Sequence, residues 1–181
     1  MFRRSFLVVV LLAAASGAAA QAPSFERPAL LTSVGQSSDI AIVKVMLNTQ
    51  LKLGLDYKPL AQPAEVAGMR TVVIVAGAST KGLGAAGIDL PKEMERATAL
   101  VKAAKAAGAR IIVMHTGGEA RRGKTSNDLI SLVVPDADYV VVVAAGNKDK
   151  LFNTLASKRN VPVIEVERMA DAGAAVKTVF K

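Results

Sequence analysis

The sequence has no cysteine and no tryptophan, one histidine among 181 residues, and an aromatic content of only 4%. Without cysteine there is no disulfide, no thiolate nucleophile and no lipid-bearing cysteine. A single imidazole, beside acidic residues that show no paired ligand spacing, argues against a transition-metal centre, and no metal or other cofactor is expected. The scarcity of aromatics leaves no stacking platform for nucleobases. The 23 Lys and Arg are scattered rather than striped, so a net charge of +8 suits small anionic partners better than nucleic acid. Long apolar runs are missing too, since Phe6 to Ala15 is too short to span a bilayer.

That short apolar run has a different meaning. Arg3 and Arg4 precede it, and Ala18-Ala19-Ala20 follow it before Gln21, which is the layout of a cleavable export signal. The expectation is a signal peptide over residues 1–20 and a periplasmic, soluble, unanchored mature chain over residues 21–181, folded as a single domain.

Within the mature chain, apolar runs of strand length alternate with stretches of helical period. Ala29 to Ser33, Thr71 to Ala76, Arg110 to His115, Tyr139 to Ala144 and Pro162 to Val166 read as strands, and Asp56 to Leu60 as a weaker one. Ile40, Val43, Met46, Leu47 and Leu51 predict a helix after the N-cap candidate Ser37. A second helix starts at Pro91, buries Met94, Ala97, Leu100, Val101 and Ala104, and stops at Gly108. Leu129 to Val133, Leu151 with Leu155, and Met169 to Phe180 predict three more, while Pro59 to Pro63 reads as a linker. The fold class implied is α/β: a single doubly wound, mainly parallel sheet with helices on both faces, Rossmann-like in kind, with the flavodoxin-like strand order 2-1-3-4-5.

Such sheets bind ligands beyond the carboxyl ends of their strands, where strand order reverses. Four loops fall there. The first carries Ser33, Gly35, Gln36 and Ser37, and the second, Gly77 to Asp89, carries Ser79, Thr80, Lys81 and Gly82. The third carries His115, Gly117, Gly118, Glu119 and Arg121, and the fourth carries Asn147. Free N–H groups at helix starts, with Lys81 and Arg121, predict a cradle for a small anionic or polar ligand. The glycine-rich second loop reads as a lid over it.

Two motifs promise more than their context delivers. Gly118 to Thr125 spells G-x-x-x-x-G-K-[ST], yet no later strand ends in the Asp that would hold magnesium, and Glu119 would set an anion beside the phosphates. Gly82 to Gly87 spells G-x-G-x-x-G, but the following helix opens beyond its last glycine. His115, at a strand's carboxyl end, is the one candidate for a general base and could act with Ser33 or Ser79. No G-x-S-x-G elbow accompanies it.

Pro28 to Asp39, Ser79 to Asp89, His115 to Gly123 and Gly146-Asn147-Lys148-Asp149 together resemble an uncharacterised family of exported bacterial proteins, domain of unknown function 6305. The resemblance implies no activity. The leading expectation is therefore a binding protein that holds its ligand without transforming it. A hydrolase or transferase using His115 with a nearby hydroxyl, and an interaction module for a membrane transporter or sensor, stand as alternatives.

Overall fold

A computed structural model describes residues 23–181; the export signal expected at residues 1–20 lies outside them. Six strands form one parallel sheet: β1 (Ala29–Val34), β2 (Asp56–Tyr57), β3 (Thr71–Ala76), β4 (Arg110–His115), β5 (Tyr139–Val143) and β6 (Val163–Val166). Their spatial order is β2-β1-β3-β4-β5-β6, which is the expected doubly wound order with one strand added beyond β5. The four inner strands are apolar runs because both of their faces are covered.

Side chains alternate across the pleat and divide the core in two. Leu30, Val34, Val72, Ile74, Ile111, Val113, Val140 and Val142 face one layer. That layer is built from α3 (Leu90–Ala106), α4 (Lys124–Val133) and α5 (Leu151–Ser157). Leu31, Val73, Val75, Ile112, Met114 and Val141 face the other, built from α1 (Asp39–Lys44) and α6 (Met169–Lys177). A π-helical stretch, Val45–Gln50, prolongs α1, and Met46 and Leu47 carry its buried face. Among the described residues no helix is long and apolar enough to cross a membrane.

Three expectations are corrected. The lid predicted over Gly77 to Asp89 contains a helix, α2 (Thr80–Ala85), because the Ser79 hydroxyl caps it by accepting from the Gly82 N–H at 3.0 Å. The predicted linker is anchored rather than free: Ala61 is wholly buried and its carbonyl accepts from Arg96, which ties Pro59 to Pro63 to α3. The weak strand is regular only over Asp56 and Tyr57, after which the Lys58 N–H donates to the Leu31 carbonyl at 3.0 Å and the Pro59 carbonyl accepts from the Ser33 N–H at 3.1 Å.

Candidate functional site

Strand order reverses between β1 and β3, and the loops leaving their carboxyl ends meet there through bare backbone. Gly35 sits at φ +99°, and a Cβ on it would lie 2.4 Å from the Gly77 carbonyl oxygen. A Cβ on Gly82 would lie 1.9 Å from the Gln36 carbonyl oxygen. These glycines let one loop approach the other, which is why Gln36 and Ala78 form an antiparallel bridge.

Beneath that contact lies a pair of charges. Glu93, wholly buried on the first turn of α3, accepts from Arg96 Nε and Nη2 at 2.8 Å each, from the Gly35 N–H at 2.6 Å and from Gln36 Nε2 at 3.3 Å. Arg96 spends its remaining donors on the carbonyls of Ala61 at 2.7 Å and Ser33 at 2.6 Å. A buried carboxylate is tolerated only with partners of this number and quality. The result is a clamp from α3 onto the β1 loop.

The next loop holds the sole histidine. His115 is fully buried, with Nδ1 2.9 Å from the Ala76 carbonyl oxygen, Nε2 3.1 Å from the Gly118 carbonyl oxygen, and its ring against Phe152 at 5.3 Å. Burial lowers its pKa below the usual imidazole range, against the pull of the two carbonyls. Its ring nitrogens face backbone and not a hydroxyl. Ser33 Oγ donates to the Val75 carbonyl at 3.4 Å and Ser79 Oγ caps α2, so neither serine proposed beside His115 bonds to it.

Arg122 joins the outer loops. It donates to Gly146, to Asn127 at 2.8 Å and to both oxygens of Asp149, holding that carboxyl down to about 2. Asn147 is wholly buried, donating to Asn153 at 2.6 Å and Glu165 at 3.1 Å and accepting from the Phe152 N–H at 3.1 Å. Glu119 pairs with Lys148 at 2.6 Å on the surface, and Lys124 reaches Asp128 at 2.8 Å.

Of the sequence-predicted set, then, Ser33, Gly35, Gln36, His115, Gly118 and Asn147 work within the fold. Ser37 is buried as well, its hydroxyl accepting from the Asp39 N–H at 3.2 Å. Thr80 and Lys81 are exposed on the first turn of α2, and Lys81 has no ion-pair partner among the described residues.

What is left under-satisfied gathers around Gly117. A Cβ there would fall 2.0 Å from Arg121 Cγ and 2.4 Å from Asp39 Oδ2, so glycine is what lets both side chains cross it. Asp39 is only 6% exposed, yet the one polar partner of its side chain among the described residues is Arg121 Nε, at 3.6 Å. Arg121 is about one-third exposed and donates to the exposed Ser38 at 3.1 Å. Beside Gly117, the buried Thr116 hydroxyl has no hydrogen-bond partner. Ser38, Asp39 and Thr116 lay within the loops read from the sequence but outside the residues singled out there. Glu93 and Arg96 were missed altogether, although they fall on the same helical stripe as Ala97, Leu100 and Ala104. A charge on an apolar stripe is the signal that could have found them.

Comparisons with known proteins add a family and no chemistry. No curated protein matches the sequence. One solved structure, the psychrotrophic esterase EstA from Pseudoalteromonas sp. inhibited by monoethylphosphonate, aligns over 76% of each chain at 13% identity with a TM-score of 0.33, a likeness too distant to bear on the site. A family model does match from the residue after Phe25 through Phe180, taking in every strand and helix described above. On that match over residues 26–180, the chain belongs to the family described as Domain of unknown function (DUF6305).

Proposed function

We propose that this is an exported, periplasmic protein that holds a small anionic or polar metabolite at the carboxyl edge of its sheet, without transforming it, as an accessory to transport or sensing. The observation that carries this reading is the under-satisfied group around Gly117. Buried polar groups in folded proteins are paired as a rule, and exceptions call for an explanation. Here a nearly buried carboxylate and a guanidinium about one-third exposed, held 3.6 Å apart, cross one glycine, and the hydroxyl of the residue before it is unpartnered. A ligand offering an acceptor to Arg121 and a donor to Asp39 would satisfy both at once.

Binding is favoured over catalysis by the state of His115. A general base needs a ring nitrogen within reach of the proton it removes. Both nitrogens of His115 lie against backbone carbonyls, of which the neutral ring can donate to one, and neither nitrogen faces a hydroxyl.

Native mass spectrometry of the protein recovered from the periplasm identifies the compound it carries. Calorimetric titration with that compound should then show Arg121→Ala and Asp39→Asn each weakening affinity by about tenfold or more, the loss of a charge-assisted contact being worth about 1.5–3 kcal/mol. Affinities equal within about threefold for wild type and both variants, a difference under about 0.7 kcal/mol, would overturn the reading.

A further inference from the structure

The opposite edge of the sheet is open. A cavity of about 780 Å³ lies between the amino ends of β4, β5 and β6 and the segment that follows α6. Ser24, Arg110, Asp138, Arg159, Asn160 and Lys181 are on its wall. Ser24 and Arg110 also border a smaller concavity of about 270 Å³, shared with Glu26 and Arg70.

Charge on the larger wall is lopsided, with three cationic side chains facing one carboxylate, Asp138. That carboxylate is already engaged, accepting from the Ile111 N–H at 2.8 Å and lying 3.6 Å from Arg159. Arg159 reaches the carbonyls of Pro135 at 3.4 Å and Ala137 at 3.3 Å, long contacts for a guanidinium. Helices point their negative ends at this edge, which accounts for a cation over the end of α4. It does not account for the other two. Arg110 stacks 4.5 Å over the Phe25 ring and donates to the Ser24 carbonyl at 2.8 Å, and it has no ion-pair partner among the described residues. Lys181 has none either, its backbone N–H being fixed to the Phe25 carbonyl at 2.9 Å.

We propose that this cavity is a second binding site, for a small multivalent anion of the phosphate-ester or polycarboxylate kind, held by Arg110, Arg159 and Lys181. Cations in excess of carboxylates around a concave wall focus the field and raise the local concentration of anions. Arg110 is oriented before any ligand arrives, since Phe25 and the Ser24 carbonyl fix its plane, and an oriented fork loses little freedom on binding. The volume is within the range of metabolite pockets. Asp138, tied to the backbone of β4, sets a limit on how close an anion comes and so favours a ligand whose charges are spread.

Calorimetric titration of the full chain with pyrophosphate and, separately, with citrate at constant ionic strength tests this. Wild type should bind one of the two saturably below about 1 mM. The double variant Arg159→Gln/Lys181→Gln, at exposed positions, should bind at least about tenfold more weakly with its melting temperature retained. Arg121→Ala, at the other edge of the sheet, should bind as wild type does. Pyrophosphate without citrate assigns the phosphate class, and citrate without pyrophosphate assigns the carboxylate class. The proposal is overturned if neither probe saturates with wild type, if the double variant stays within about threefold of it, or if Arg121→Ala abolishes the binding.

Discussion

Replacing Arg96 with leucine should be among the most damaging single changes available to this fold. Leucine is apolar but shorter than arginine, so some packing is lost, yet that is not the main cost. What is lost is four donated hydrogen bonds: two to Glu93, one to Ala61 and one to Ser33. Glu93 then remains wholly buried with only the Gly35 N–H and Gln36 to meet its charge. Breaking one partner out of a buried pair typically costs about 3–5 kcal/mol, because the other charge is left uncompensated. In a chain of this size each kcal/mol moves the thermal midpoint by about 2–4 °C, so a fall of about 6–20 °C is expected. Urea denaturation gives the same quantity as a lower midpoint at an unchanged slope. The companion variant Glu93→Leu/Arg96→Leu removes both charges and should be less destabilised than Arg96→Leu alone by at least about 1 kcal/mol, because no uncompensated charge stays buried. A loss below about 1 kcal/mol for Arg96→Leu, which is no more than an ordinary substitution, would refute the clamp. So would a double variant as unstable as the two single ones added together.

Other perturbations follow from the same contacts. Because burial lowers the pKa of His115 below 6.5, the unfolded chain takes up a proton first on acidification; the stability held by the neutral ring is complete above that value and is lost as pH falls through the folded-state pKa. The single imidazole resonance should therefore titrate below 6.5, and His115→Gln should flatten the decline in melting temperature between pH 7 and the folded-state midpoint; a midpoint above 6.5 would contradict it. Gly82→Ala places a methyl against the Gln36 carbonyl and should cost about 1–3 kcal/mol, in the manner of overpacking, measured by urea denaturation; a neutral result would mean that the two loops part easily. Intact mass of the exported protein should correspond to a chain beginning at Gln21, and a product retaining Met1 to Ala20 would refute the export signal.

The parallel sheet was legible in the sequence because its inner strands are buried on both faces and therefore read as unbroken apolar runs such as Thr71 to Ala76. Order among them followed from the alternation with helices. What stayed hidden depended on three dimensions. The loop from Gly77 to Asp89 looked like a lid because glycines dominate it, yet Gly82 is there to let the Gln36 carbonyl pass, and Ser79 caps a helix that composition alone disfavours. The sequence-predicted site residues lay at the right edge of the sheet, but residue type could not separate those spent on the fold, such as Gln36 and Asn147, from those with capacity to spare, such as Arg121. Glu93 and Arg96 are of residue types that ordinarily face water, while their spacing to Ala97 and Leu100 places them on the buried stripe.

The two lateral edges of the sheet carry a consequence for how the chain behaves at high concentration. An open sheet must terminate in unpaired backbone, and unpaired backbone can recruit a neighbouring chain. Here one margin is a strand of two residues, Asp56 and Tyr57, followed closely by Pro59, and the other is the four residues Val163 to Val166, introduced by Pro162 and bearing Glu165, which Lys150 holds at 2.7 Å. Proline withholds a donor and a charged pair resists burial, so neither margin offers a stranger the run of free amides and carbonyls that intermolecular pairing requires. The sheet ends where it does in part so that it does not continue into another molecule.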